Sequence, residues 1–148
     1  MSKTIVLDGY VTPKEATAAA ALSPGHLIKL NTAGKVLKHA TAGGTLSPSF
    51  AIEYEYDTSD IATAYATGDR VRYVVATTGA KIKGKLAASA AAIVIGDYLE
   101  SAGDGTLRKV STDTATSQDE RNSVRFQAVE AVNNSSGSSE VFIKVEVI

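Results

Sequence analysis

The stretch Gly25–Thr41, GHLIKLNTAGKVLKHAT, carries the pattern that decides the fold. Two short runs with apolar residues flank Asn31-Thr32-Ala33-Gly34, and a four-residue loop that ends in glycine is typical of a β-hairpin. The order of glycine, strand, turn and strand returns in GDRVRYVVATTGAKIKG from Gly68 and in GDYLESAGDGTLRKVS from Gly96. We therefore predict one hairpin in each stretch, with Arg70–Ala76 facing Ala80–Lys83 in the second and Tyr98–Ser101 facing Thr106–Val110 in the third.

Strands are also predicted outside these three stretches. The clearest is Val141–Ile148, where apolar residues alternate with Phe142, Lys144 and Glu146. Its apolar set, Val141, Ile143, Val145 and Val147, should face inward. Phe50–Tyr56 and Val124–Val132 are further strands, and the intervening NNSSGSS has the composition of a flexible linker.

The N-terminal segment is the one place where a helix is predicted. Thr12 can cap it, Pro13 suits its first position and Glu15 completes a capping box, so a short helix is expected over Ala16–Leu22. An extended, alanine-rich arm is the alternative, because isolated helices of this length are marginal. On either interpretation, residues 1–23 form an N-terminal arm and residues 24–148 a single β-rich domain.

Turn signals every ~8–12 residues predict an all-β fold. We expect a compact β-barrel or β-tulip-like domain, or a sandwich, built from short strands and hairpins. The spacing of the three stretches is too irregular for a solenoid, whose repeats keep a fixed period.

Composition narrows the classes of partner. The 148 residues carry a formal net charge of −1, which lacks the basic excess that nucleic-acid binders usually show. There is no cysteine, so neither a disulfide nor a thiolate metal site can form. The longest apolar run, Leu86–Ile95, is far shorter than the ~20 residues of a membrane span. We predict a protein made in a cytoplasm that binds neither nucleic acid nor membrane.

Two histidines are the first candidates for chemistry. If Leu30 lies opposite Lys35 in the first hairpin, His26 falls opposite His39, and the two imidazoles could bind a metal. A zinc site needs at least three protein ligands, and the sequence marks no third. Solvated histidines at the strand ends are therefore the favoured interpretation, and no metal is predicted.

Charged pairs are the second candidates. Glu53 and Glu55 share one strand face, as acid–base carboxylates can, but a solvated edge-strand face is the favoured interpretation. Arg70 and Arg72 share another face, and a basic patch would extend to Lys81, Lys83 and Lys85 if the second hairpin forms. Such a patch suits an interface or ordinary solvation equally well. The chain has no phosphate-binding loop and no nucleophile elbow, so we predict no enzyme and no cofactor.

Four segments together resemble a known family. SPGHLIKLNTAGKVLKHAT, FAIEYEYD, IATAYATGDRVRYVV and GDYLESAGDGTLRKV are similar to the decoration, or cement, proteins of tailed-bacteriophage heads. The resemblance covers most of Pro24–Val110. It implies a β-barrel or β-tulip domain with an N-terminal arm that forms a homotrimer on the exterior of the phage head, binds junctions between major capsid subunits and stabilises the mature head.

Contact residues follow from that resemblance. We expect the arm and the arginine face to meet the capsid or another subunit, through Thr4, Ile5, Val6, Leu7, Tyr10, Arg70 and Arg72. The alternative function is a non-catalytic β-sandwich module of a phage tail or cell surface that recognises carbohydrate, through the Glu53/Glu55 strand and exposed tyrosines.

Overall fold

A computed structural model describes residues 4–54, 60–110 and 125–148 of the chain. These residues form strands and turns and contain no helix, so the predicted all-β fold is confirmed. The strands are β1 (Val6–Asp8), β2 (Val11–Thr17), β3 (Ile28–Leu30), β4 (Val36–Lys38), β5 (Ser49–Ala51), β6 (Arg70–Ala76), β7 (Lys81–Leu86), β8 (Tyr98–Ser101), β9 (Leu107–Lys109), β10 (Phe126–Ala128) and β11 (Val141–Val147).

The later strands close into a barrel, which we call the first barrel. Its order is β7-β11-β10-β8-β9, and the pair Leu86–Leu107 joins β9 back to β7 in parallel. The longest ladder runs from Val141 opposite Leu86 to Glu146 opposite Lys81. β1 adds to the outside edge of β7. A closed sheet leaves few unpaired edges, which favours stability and discourages aggregation.

The earlier strands form a looser ring, which we call the second barrel. β2, β6 and β5 make a three-stranded sheet, and β3 pairs with β4 as a hairpin. Single residue pairs connect the two pieces: Leu27 with Phe50, and Ala18 with Val36. The ring is therefore closed at isolated points and not by continuous ladders.

β6 lies between the two barrels and contributes side chains to both cores. Val71 and Tyr73 point into the core of the second barrel, whereas Val74 and Ala76 point into the core of the first. Phe50 of β5 also packs into the first core, where its ring meets Phe126 edge-to-face at 5.3 Å. The alternating pattern of β6 thus serves two interiors, because successive side chains of a strand point to opposite faces.

A bent two-stranded ribbon links the barrels. β2 pairs with β6 in the second barrel, and their continuations β1 and β7 pair in the first. Both strands turn at glycine: Gly9 has φ +88°, and a Cβ placed there would lie 2.6 Å from Ala80 Cα. The backbone N–H and the hydroxyl of Thr77 donate to the Tyr10 carbonyl and hold the two bends together.

The bend overturns the second predicted hairpin. Gly79 (φ +93°) carries the chain from one barrel to the other, so β7 pairs with β1 and β11 and not with β6. The turn signal was correct, but a sharp corner between sheets uses the same residues as a hairpin turn.

The predicted helix is also wrong. The region of its capping box lies in β2, which pairs with β6 from Val11 opposite Ala76 to Thr17 opposite Arg70. Pro13 is tolerated because β2 is an edge strand. Beyond β2, Ala18 and Leu22 are buried in the second core, and this burial outweighs the helix propensity of alanine. The arm boundary at residue 23 stays a prediction, although β1 and β2 pair with strands that follow it.

Other predicted elements agree with the structure or differ in detail. β6, β11 and the β8–β9 hairpin are confirmed, and Ile143, Val145 and Val147 face inward. The strand predicted at Phe50–Tyr56 shortens to β5, and its residues 55 and 56 lie outside the described part. The linker prediction is wrong for NNSSGSS, since Asn134 is buried and its side-chain amide donates to the carbonyls of Ala87 and Ser139.

Candidate functional site

The predicted N-terminal contact segment is built into the first barrel. Thr4 Oγ1 donates to one carboxylate oxygen of Glu53 at 2.8 Å, and the Ile5 N–H donates to the other at 3.1 Å. The Ile5 side chain is fully buried in the core, and Val6 and Leu7 are half-buried. Ile5 could therefore meet another protein only if the segment left the barrel. A contact role for Thr4–Leu7 stays a prediction.

Glu53 consequently differs from both sequence interpretations. It is buried and not on a solvated face, and its carboxylate is occupied by the two N-terminal donors. Glu55, its predicted partner, lies outside the described residues. Glu53, just beyond β5, anchors the start of the described chain through these two hydrogen bonds.

Tyr10 and Arg70 are accessible but lie far apart. Tyr10, at the bend, is 86% exposed. Arg70 lies at the other end of the β2–β6 ladder, where its Nε donates to Glu15 at 2.6 Å. That hydrogen bond and the charge of Glu15 raise the pKa of Arg70. Arg72 is half-buried. These predicted contact residues do not form one patch, and their role stays a prediction.

The predicted basic patch does not form, because it required β6 to pair with β7. Lys83 is buried, and the ammonium groups of Lys83 and Lys85 lie 5.4 and 5.3 Å from the centre of the Phe142 ring. Lys85 also donates to Glu140 at 3.0 Å. Both lysines therefore interact within the first barrel, and the arginines lie on the second.

His26 is held in a defined protonation state by its neighbours. Its Nδ1 lies 2.9 Å from the N–H of Ser23, which can only donate, so Nδ1 must accept. The proton is then on Nε2, which donates to Glu140 at 2.9 Å. Burial lowers the pKa of His26 against the raising effect of Glu140. Burial alone would raise the pKa of Glu140, but hydrogen bonds from His26 and Lys85 hold it below its usual value.

The turn around His26 occurs three times. In each copy, a side chain accepts the N–H of the residue three positions earlier: Asp69 accepts from Ala66 at 2.8 Å, and Asp97 accepts from Val94 at 2.9 Å. The residue before each acceptor is a glycine with positive φ, at Gly25, Gly68 and Gly96. The recurrence in the sequence is therefore a locked turn, followed by a hairpin in only two of its three copies, and His26 takes the place of an aspartate.

His39 belongs to a different network. Its Nδ1 lies 2.7 Å from Ser101 Oγ and its Nε2 lies 3.1 Å from the Thr45 carbonyl. The first hairpin pairs Leu30 with Val36, one residue away from the predicted register, so the histidines are not opposed. Both are buried, which makes the solvated interpretation wrong. No group of three histidine, aspartate or glutamate side chains within 4–54, 60–110 and 125–148 could hold a metal ion.

An open pocket of about 440 Å³ occupies one end of the second barrel, and we call it the barrel mouth. Tyr73 and Val75 lie on β6 and Lys14 is opposite Tyr73 on β2, so the three side chains share one face. This site was not predicted from the sequence, because Lys14 precedes the predicted helix in its capping box and Lys29 belongs to the simple alternation of the first hairpin. The full lining is Lys14, Ile28, Lys29, Leu30, His39, Thr41, Thr45, Leu46, Ser47, Ser49, Tyr73 and Val75.

A second surface feature is an apolar turn on the first barrel. Val94 is 57% exposed, Ile95 is 70% exposed and Tyr98 is 51% exposed. The locked turn at Asp97 fixes the backbone beneath them. Neighbouring exposed apolar side chains of this kind are typical of contact surfaces.

Comparisons with known proteins identify the fold. No family model matches the chain, and no curated protein matches it in sequence. The crystal structure of the N base of head fiber gp8.5 from bacteriophage phi29 is similar, with a TM-score of 0.59 and 13% identity over 94% of this chain and 95% of that one. The likeness therefore extends over nearly the whole of both chains. Within the described residues, no helix is long and apolar enough to cross a membrane.

Proposed function

We propose that this chain is a structural protein of a phage head that binds the outside of the capsid. The observation that carries the proposal is the likeness over 94% of the chain to the base of a phage head fiber. The sequence resemblance to head decoration proteins points to the same class. One argument comes from backbone geometry and the other from sequence segments.

In this proposal the protein sits at junctions between major capsid subunits as a homotrimer and stabilises the mature head. The apolar turn at Val94, Ile95 and Tyr98 and the exposed ring of Tyr10 supply apolar contact area. Aromatic residues are enriched at protein interfaces. Three linked copies make each later contact effectively intramolecular, so individually weak contacts suffice.

The proposal includes no catalytic role and no cofactor. An enzyme or a carbohydrate module was suggested by Glu53 and Glu55. Glu53 has a structural role, because its carboxylate accepts hydrogen bonds from Thr4 and Ile5. The interfaces with the capsid and between copies would therefore account for the function.

The test uses the phage whose genome encodes the chain. Heads from a mutant that lacks the gene are mixed with the purified protein, sedimented and imaged by cryo-electron microscopy. We expect added density outside the shell at subunit junctions. We also expect DNA release on heating to begin at a lower temperature in bare heads than in decorated heads, because binding to the intact shell stabilises it.

A matched pair of variants sharpens the result. Ile95→Asp with Val94→Asp should reduce binding to heads, whereas Lys35→Asp on the exposed β3–β4 loop should not. Absence of the chain from purified virions, or equal heat tolerance of bare and decorated heads, would exclude the cement role.

A further inference from the structure

The barrel mouth has the form of a small-molecule site. Its volume of about 440 Å³ lies within the range of about 300–1,000 Å³ that such sites occupy, and the mouths of β-barrels are a common location for them. Ile28 of β3 and Tyr73 and Val75 of β6 supply apolar surface. The pocket is distinct from the apolar turn proposed to face the capsid, and the inference does not depend on that function.

The charged side chains that line the barrel mouth favour an anionic ligand. Lys14 and Lys29 line it, and neither has an ion-pair or hydrogen-bond partner for its ammonium group in the described part of the chain. No aspartate or glutamate contributes to the lining. Glu15, the neighbour of Lys14, points to the opposite face of β2 and is paired with Arg70. Two unmatched ammonium groups at one pocket favour a ligand that carries a carboxylate or phosphate.

The remaining polar groups suit a hydroxylated ligand. Thr41, Thr45, Ser47 and Ser49 add hydroxyl groups to the lining, and a hydroxyl can both donate and accept. The hydroxyl oxygens of Ser47 and Ser49 lie 3.1 Å apart, so a hydrogen bond between them fixes the orientation of both groups. Leu30, 49% exposed, gives the rim an apolar edge.

We propose that the barrel mouth binds an acidic sugar, with its anionic group between Lys14 and Lys29 and its hydroxyls against the threonine and serine side chains. The sugar could be a free monosaccharide or the terminal unit of a polysaccharide, because the mouth recognises the same chemistry in both.

The experiment follows backbone amide signals of the full chain by NMR at low salt. Glucuronate and glucose 6-phosphate are titrated as free acidic sugars, a glucuronate-terminated oligosaccharide as the polymeric source, and glucose as the neutral control. We expect shifts at Lys14, Lys29 and Thr45 with the acidic probes and at least about tenfold weaker binding of glucose, as the loss of charge-assisted hydrogen bonds implies. Comparing the free acids with the oligosaccharide distinguishes the two sources.

Variants tie the binding to the mouth. Lys14→Gln with Lys29→Gln should weaken glucuronate binding about tenfold or more, and Lys14→Arg should retain it. Lys144→Gln, at an exposed position of β11, is the matched control and should leave affinity unchanged. Because these side chains are exposed, all three variants should fold, which the amide spectrum itself verifies.

Three outcomes would overturn the proposal. The first is no shift at the mouth with any acidic probe at tens of millimolar. The second is equal binding of glucose, which would remove the role of the lysines. The third is binding of a glutamate-rich peptide at the mouth without binding of the sugars, which would identify a protein segment as the occupant.

Discussion

The two barrels use the same kinds of strand but close in different ways. The first is one continuous sheet whose ring is completed by the single parallel pair Leu86–Leu107, and it is filled by aliphatic side chains with Phe50 and Phe126. The second closes through the single pairs Leu27–Phe50 and Ala18–Val36, and one of its ends remains an open pocket. The difference teaches that a ring need not be fully hydrogen-bonded if a neighbouring core holds its wall in place.

The largest expected effect tests that dependence directly. Phe50 belongs to a strand of the second barrel, but its ring fills the first core against Phe126. Phe50→Ala should lower the free energy of unfolding by about 3–5 kcal/mol, because it leaves a cavity in the first barrel. Denaturant titration measures the loss. Leu30→Ala, at the rim of the second barrel, is the control and should cost less than about 1 kcal/mol. Equal losses would contradict the division into two cores.

The bent ribbon gives the next largest effect. Gly9→Ala combines a positive φ with a Cβ only 2.6 Å from Ala80 Cα, and should destabilise the protein by about 3 kcal/mol. Gly34→Ala has the same type of φ but no neighbouring atom within 4 Å, so about 1 kcal/mol is expected. Thermal unfolding of the two variants separates the clash from the backbone strain. Similar melting temperatures would show that the corner can relax.

The anchor on Glu53 gives a smaller, local effect. Glu53→Gln keeps the shape but weakens the two hydrogen bonds from Thr4 and Ile5, at a cost of about 1–2 kcal/mol. Hydrogen exchange of the Ile5 amide should accelerate accordingly. Glu130→Gln is the control, since Glu130 also accepts a backbone N–H, that of Lys144, but at an exposed site. Unchanged exchange at Ile5 would show that pairing of β1 with β7 is sufficient to hold the segment.

The smallest effect concerns pH and the junction of the barrels at His26. The pKa of His26 is lowered in the folded protein from its ordinary value of about 6.5. Just below pH 6.5, the unfolded chain therefore binds more protons than the folded protein. Stability should therefore fall as pH drops below 6.5, and Glu140, whose folded pKa is also lowered, should add a further loss in more acidic solution. His26→Asn can still accept the Ser23 N–H but does not titrate. Between pH 7.5 and 5, the melting temperature should decline less in this variant than in the natural protein. An equal decline in the two proteins would show that His26 is not the group responsible.

Sequence reasoning recovered the elements whose signal is local. β6 and β11 show clear alternation because each packs on a core, and the β8–β9 hairpin has a glycine-rich turn. The helix at Ala16–Leu22 was wrong because the helix propensity of alanine is weak against the pairing of Ala16 and Thr17 with β6 and the burial of Ala18 and Leu22 in the second core. The predicted register of the first hairpin depended on one position in its turn, and the predicted pairing of His26 with His39 depended on that register. A slip of one residue reverses the face of every side chain.

The candidate site was not predictable for a related reason. Lys14 and Lys29 are ordinary surface lysines in the sequence, and only closure of the second barrel brings them to one pocket. Glu53 looked solvated because its donors, Thr4 and Ile5, precede it by almost fifty positions. Contacts at such separation leave no periodic trace in either segment.

The pairing of β1 has a consequence for the order of events during synthesis. Its partner β7 ends at Leu86, and β7 in turn is flanked by β11, which begins at Val141. The strands β2 to β6 can associate while the ribosome is still translating the remainder, but the N-terminal strand must wait for its neighbour to emerge. Folding rates fall as contacting residues lie further apart in sequence, so completion of the first barrel is expected to limit the rate at which newly made molecules mature.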